Sequence, residues 1–309
     1  MITKISTSSH EEWLALRHKY IGGSDAAAVV GLNAFVSPYA LWAEKTGRLP
    51  GFEGNLATEV GTYLEDFVAK LFERETGKKV RRCNQSWINS DYPWAIANID
   101  REIVGEDAGL EIKTTSELNI KKFKNGEFPA NYYCQCMHYM AVTGKKRWYL
   151  AVLIGNREFK WFCIERDEEE IKALMAAEEH MMHLIATDTP PIADGHAKTG
   201  ETLLALHPNS TDDSIGIGMY ERDLDTYINL KERSKELDEQ IASIENKLKA
   251  HLGDCGTGDG ERYKVTWKSQ SRSTFDAKRF GADHPDMDLS MYYKTTNTRP
   301  FRVTAKKGA

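Results

Sequence analysis

Between residues 56 and 187 the apolar pattern switches from helical to alternating and back, and this limits the folds open to the chain. Residues 56–76 carry Leu64, Val68 and Leu71 at spacings of four and three, the signature of an amphipathic helix, which Gly77 stops. Three segments then read as strands: 78–88, 94–104 and 109–115. The last two are joined by the turn GEDAG, which predicts an antiparallel hairpin. Pro129 opens a helix that Gly144 closes. Strands over 146–154 and 157–165 turn at Gly155-Asn156, and a helix runs from Asp167 to about Thr187. A sheet with helices before and after it predicts an α/β (α+β) core of about 190 residues.

The flanking regions read more simply. Residues 9–19 predict a helix capped by Ser8 or Ser9. The turn IGGSD follows, with Ser24 or Asp25 capping a small-residue helix, and Pro38 opens a short helix closed by Gly47. The polar, Pro- and Gly-bearing segment TDTPPIADG (187–195) is the best boundary, dividing the chain into 1–190 and 191–309. Beyond it, Tyr227, Leu230, Leu237, Ile241, Ile244 and Leu248 alternate at spacings near three and four, with Ser234 in one seam position. That predicts a coiled-coil-like helix. A strand at RYKVTWKSQSR, a helix at STFDAKRFGADH and a final strand at RPFRVTA complete the expected tail.

Charge is distributed unevenly. The net charge of −5 excludes a simple basic coat for nucleic acid, yet residues 201–260 hold 6 Lys/Arg against 13 Asp/Glu, and residues 261–309 hold 11 against 5. Separate modules with separate contacts are expected. The five cysteines form no CxxC pair, which predicts a reducing compartment with neither a disulfide framework nor a zinc site. No apolar run approaches a membrane span and the N-terminus lacks the form of a secretory signal, so a cytoplasmic setting is expected.

Asp100, Glu111 and Lys113 carry the chemical argument. Residues two apart on a strand share a face, so Glu111 and Lys113 point the same way, and the preceding strand can bring Asp100 opposite. Two carboxylates and the Ile112 carbonyl between them would offer hard oxygen ligands to Mg²⁺ or Mn²⁺. Lys113 beside them could orient water and stabilise charge on a phosphate. The tripeptide alone is weak, because 158–160, 170–172, 245–247 and 276–278 repeat it, and an acidic-x-Lys pair is most often a solvated salt bridge. Only Glu111 follows an Asp-bearing hairpin flanked by amphipathic helices.

These residues, together with Arg17, the turn Gly22-Gly23-Ser24-Asp25, Gly61-Thr-Tyr-Leu-Glu65, Ile99-Asp100 and Gln135, resemble the PD-(D/E)xK nuclease superfamily. Within it the chain is similar to the YqaJ-type viral recombinase family, which includes the lambda-type phage exonucleases. The resemblance spans about residues 10–190 and implies a restriction-endonuclease-like core with a central mixed sheet. Two departures stand out: Ile99 where many members have Pro, and Asn98 where relatives often have Ser.

The resemblance also implies roles. Asp100, Glu111 and the Ile112 carbonyl would hold two Mg²⁺ ions, for which Mn²⁺ could substitute, Lys113 would position water, and Glu65 would reach the metal through a water. Arg17, Ser24 and Gln135, with Asn98 held more loosely, would contact DNA at a pocket for its terminal 5′-phosphate. The implied activity is 5′-to-3′ exonuclease action on linear double-stranded DNA, releasing mononucleotides and leaving 3′ overhangs for phage-type homologous recombination. A homo-oligomeric ring of three subunits and a single-strand annealing protein as partner are implied as well. The competing readings are an endonuclease on the same core and a non-catalytic DNA-binding or assembly protein. Cys134 and Cys136 read as core thiols, because i,i+2 residues on a helix point apart, and His180 with His183 as a solvated face.

Overall fold

The structure is a computed structural model that describes residues 1–7, 9–294 and 298–306. It divides into two compact units, Met1–His207 and Pro208–Ala309. The first unit starts with β1 (Ile2–Ile5), α1 (His10–Lys19), β2 (Ile21–Gly22), α2 (Gly23–Val29), α3 (Pro38–Lys45) and α4 (Leu56–Thr76). Strands β3 (Val80–Arg82), β4 (Ser86–Asn89), β5 (Tyr92–Asn98), β6 (Arg101–Ile103) and β7 (Ala108–Thr115) follow. A 3₁₀ segment (Glu117–Phe123), α5 (Ala130–Thr143), β8 (Arg147–Ile154), β9 (Glu158–Glu165), α6 (Glu168–Ala186) and α7 (Ala197–Leu206) complete it.

Two sheets share this unit. One has the order β1-β4-β5-β2 and the other β3-β6-β7-β8-β9. The second is mixed: β6 and β7 pair antiparallel as the GEDAG turn predicts, β7 and β8 run parallel, and β8 and β9 are antiparallel. The expected α/β core is therefore present, with a mixed sheet and helices over it.

Strand β7 is buried on both faces. Ala108, Leu110 and Ile112 join a cluster with Val68, Ala69 and Phe72 of α4. The other face of the sheet, through Trp148, Leu150 and Val152 of β8, packs on Met137, Met140 and Ala141 of α5 and on Ile171 and Met175 of α6. Burial on both faces is why β8 reads as a nearly continuous apolar run. Gly109 is required here, because a Cβ on it would lie 2.3 Å from the Trp148 ring. The helix over 56–76 is capped by Asn55, whose side chain accepts from Thr58, and ends at Gly77 with φ 71°.

Several expectations need correction. The single strands expected over 78–88 and 94–104 are each two strands that belong to different sheets. The second break falls at Ile99-Asp100, where the chain leaves one sheet for the other. The N-terminal strand β1 and the two-residue β2, paired parallel to β5, carried too short a pattern to be read. Ser9 caps α1 as one of the two candidates, while Ser8 lies outside the described residues. Neither Ser24 nor Asp25 is the N-cap of α2. Gly22 holds that position, and Asp25 reaches back to accept from its N–H at 3.0 Å. Helix α7 lies beyond TDTPPIADG and packs with α3, so the compact unit continues past residue 190.

The second unit holds α8 (Glu221–Leu252), β10 (Thr257–Asp259), β11 (Lys264–Thr266) and α9 (Ala277–Asp283). The long helix agrees with the heptad pattern. The strand expected at RYKVTWKSQSR is only three residues long, and the described part of RPFRVTA forms no strand. No helix among the described residues is long and apolar enough to cross a membrane.

Candidate metal centre and the Arg17–Ser24 turn

Asp100 sits at the break between β5 and β6, where no ladder neighbour fixes its direction. Its Oδ2 accepts the Ile112 N–H at 2.7 Å. Pairing of β6 with β7 ends at Leu110, so beyond it the β7 edge is open to Asp100. A residue's N–H and C=O leave a strand by the same edge, which directs the Ile112 carbonyl to the Asp100 side too. Glu111 is 2% exposed. Its Oε1 meets Lys113 Nζ at 2.6 Å and accepts from Gln135 Nε2 at 2.8 Å. Its Oε2 is buried with no hydrogen-bond partner.

The electrostatics follow from this crowding. Burial, and then the neighbouring Glu111, push the Asp100 carboxyl well above the usual carboxylate range. Burial alone would lower Lys113, but Glu111 and Asp100 together hold it above the ordinary lysine value. Two carboxylates sharing a buried site with one ammonium leave negative charge uncompensated, and Glu111 keeps an orphaned acceptor. A hard divalent cation answers both needs. The donor set fits such an ion: the two carboxylates and the Ile112 carbonyl. No cluster of three or more His, Cys, Asp or Glu side chains suited to a metal occurs among the described residues.

Glu65 lies on α4 beside this group, where its charge is felt at Asp100. Its carboxylate is paired with Arg101, which also donates to the Asp100 carbonyl at 2.7 Å and to Asp66 at 2.7 Å. Gly61, one turn earlier, lets α4 approach β7: a Cβ there would lie 3.3 Å from Thr114 Oγ1.

Arg17 and Ser24 meet as expected, with Arg17 Nη2 donating to Ser24 Oγ at 3.1 Å. Arg17 lies in the last turn of α1 and Ser24 at the start of α2, and β2 between them is anchored on β5. Lys45 of α3 holds this turn from behind, donating to the Arg17 carbonyl at 2.8 Å and the Tyr20 carbonyl at 2.9 Å and pairing with Asp25 at 2.8 Å. Gln135 does not bond to this pair. It donates to Glu111 and to the Tyr139 hydroxyl, the latter at 2.7 Å. Tyr139 in turn packs on Gly23, where a Cβ would lie 2.5 Å from the ring. Asn98 is at the end of β5, with its Oδ1 accepting from Ser86 Oγ at 2.6 Å.

The YqaJ-like viral recombinase domain matches residues 12–146, a span that holds every one of these side chains. Over 98% of its length the chain is 37% identical to the uncharacterized protein YqaJ of Bacillus subtilis (strain 168), covering 97% of that protein. The chain belongs to the YqaJ family. Among solved structures, an alkaline exonuclease from Laribacter hongkongensis is 24% identical, with 58% of this chain and 93% of that one covered and a TM-score of 0.49. A phage related exonuclease from Haemophilus somnus 129PT is 15% identical, with 57% and 100% covered and a TM-score of 0.42.

In this YqaJ family member, sequence reasoning missed Arg101, Lys45 and Tyr139. Arg101 directly follows Asp100 and Tyr139 is four residues from Gln135 on one helix face, so spacing could have flagged both. Nothing in the sequence marks Lys45, whose partners are 20 or more residues away. The buried pair of His138 Nδ1 and Glu178 Oε1, 2.8 Å apart, was also missed. His138 Nε2 faces the Ile96 carbonyl, so this pair ties α5 to α6 and β5.

Proposed function

We propose that the chain is a divalent-metal-dependent deoxyribonuclease that degrades one strand of linear double-stranded DNA from its 5′ end, leaving 3′ overhangs for recombination. The observation that carries this reading is Glu111: fully buried, gripped on one oxygen by Lys113 and Gln135, with its other oxygen unpartnered beside Asp100. Membership of a viral recombinase family supports the recombination setting.

Asp100, Glu111 and the Ile112 carbonyl would hold Mg²⁺, or Mn²⁺ in its place. The cation supplies Lewis-acid polarisation of the scissile phosphate and lowers the pKa of water. Lys113 stays an ammonium, because its two carboxylate neighbours favour the charged form, and it faces negative charge that develops on phosphate. Gln135 fixes the Glu111 carboxylate so that its free oxygen keeps one direction. Glu65, tethered by Arg101, adds negative charge on the α4 side. Attack by water forms a new P–O bond and breaks the P–O3′ bond, so each cut leaves a new 5′-phosphate on the shortened strand. Arg17 with Ser24 is suited to hold that group, since a guanidinium grips phosphate bidentately. Asn98 is assigned a contact with the DNA strand. A ring of three subunits would let an acidic chain surround DNA, because only the channel need be positive. An annealing protein acting on the exposed strand is the proposed partner.

The test compares initial rates on 5′-phosphorylated linear, 5′-hydroxyl linear and covalently closed circular duplexes with Mg²⁺. The reading expects the phosphorylated end to be fastest, the circle to resist, and Arg17→Ala to bring the phosphorylated rate down to the hydroxyl rate. Cutting of the circle at the linear rate would replace it with an endonuclease.

A further inference from the structure

The seam of α8 is uncovered. The helix is about 48 Å long at 1.5 Å per residue. Leu230, Leu237, Ile241 and Ile244 are 55–59% exposed, and Leu248 is 42% exposed. Among the described residues of its own unit, contacts with its apolar positions occur near the two ends. Tyr227 meets the Phe301 ring at 6.0 Å, and the β10–β11 hairpin approaches Leu252, where a Cβ on Gly258 would lie 3.0 Å from the leucine. Five large apolar side chains on one stripe between those ends need another surface.

Charge decides which surface. With Tyr227, Ser234, Ile241 and Leu248 as the a positions, Leu230, Leu237 and Ile244 fall at d. The g positions are then Thr226, Arg233, Gln240 and Lys247, and the e positions are Lys231, Asp238, Glu245 and Leu252. In a parallel pair of such helices each g residue faces the e residue five positions on in the other copy. Arg233 then meets Asp238, on both sides of the pair, and no like charges meet. In the antiparallel register that covers the same seam, Lys231 meets Glu245, but Arg233 meets Lys247 and Asp238 meets Asp238. Parallel pairing also sets Ser234 against Ser234, whereas the antiparallel register sets its hydroxyl against Ile244. A single polar a position penalises slipped registers.

We propose that α8 is a self-association element that packs in parallel and in register against α8 of each neighbouring copy of this chain. This goes beyond the nuclease reading and would stand if the chain cut no DNA.

The test uses the full-length protein. Ser234→Cys is oxidised gently, and the crosslinked peptides are mapped by mass spectrometry, which separates the new bridge from the five native cysteines. A 234-to-234 bridge between copies is expected. Arg233→Asp in that background should weaken association about tenfold, because two attractive contacts become repulsive. Adding Asp238→Arg should restore the bridge, since the pair is then re-formed across copies with reversed sign. Absence of the 234-to-234 bridge in folded protein overturns the proposal. So does a 234-to-244 bridge in Ser234→Cys/Ile244→Cys, or a bridge yield that ignores both charge changes.

Discussion

The Ile112 amide donates to Asp100 Oδ2 at 2.7 Å, across the gap left where β6 stops pairing with β7. The contact joins the chain break to the strand that carries Glu111 and Lys113, and it makes the site a property of the sheet's topology. An acceptor at position 100 is needed for this bond, but a charge is needed only for a cation. Asp100→Asn should therefore keep the fold, with stability within about 1 kcal/mol of wild type. Cleavage should fall about 10²-fold or more. A thermal melt beside a nuclease assay separates the two, and a loss of fold would contradict the assigned role.

Metal removal gives a second check that does not rest on activity. Binding of Mg²⁺ or Mn²⁺ to the folded chain alone should raise the melting temperature with concentration. The rise should vanish in Glu111→Gln, which keeps the acceptor for Lys113 and Gln135 but loses the charge. An equal rise in both proteins would place the cation elsewhere.

Lys113→Ala should cut the rate about 10²-fold or more by removing a cation that faces developing charge. DNA binding, followed with the metal replaced by Ca²⁺, should change far less. A parallel loss of binding would instead make Lys113 a substrate anchor.

Gly23→Ala should propagate to Glu111. The added carbon would lie 2.5 Å from the Tyr139 ring, so the ring must shift, at a cost of about 1–3 kcal/mol. Tyr139 accepts from Gln135, which holds Glu111. Tyr139→Leu should relieve the clash, so the double variant should melt above Gly23→Ala.

The buried His138–Glu178 pair predicts a pH slope. Burial would lower His138, yet Glu178 raises it above its ordinary 6.5, and burial raises Glu178 above its ordinary 4.5. The folded chain thus binds more protons than the unfolded one over this range, and stability falls as pH rises. The histidine's contribution is full below about 6.5 and is lost as pH climbs through its raised folded value. Glu178→Gln should flatten the decline in melting temperature from pH 6 to 9. An unchanged slope would mean the pair does not titrate differently on unfolding.

Much of the site was legible in the sequence because it is local. Glu111 and Lys113 share a face by strand period, GEDAG joins β6 to β7, and Gly61 lies one turn before Glu65. Helices α4, α5 and α6 announced themselves by period and by Gly77, Gly144 and Asp167. The pairing of Arg17 with Ser24 spans seven residues and was implied by the family resemblance, not by either residue alone. The position of Gln135 did not follow: its helix was foreseen, but not that it would face Glu111 rather than Arg17.

What the sequence determined by itself was the longer helices α4, α5, α6 and α8 and the strands β7, β8 and β9, the residues able to bear charge, and the heptad seam of α8, because each is written at periods of two to seven residues. Tertiary structure alone decided that 94–104 breaks at Asp100 to cross between sheets, that Lys45 and Tyr139 brace the turn and the carboxylates, and that Arg101 claims Glu65. Those outcomes depend on which backbone groups find partners across tens of residues, and a linear pattern carries no record of the edge at which a ladder stops.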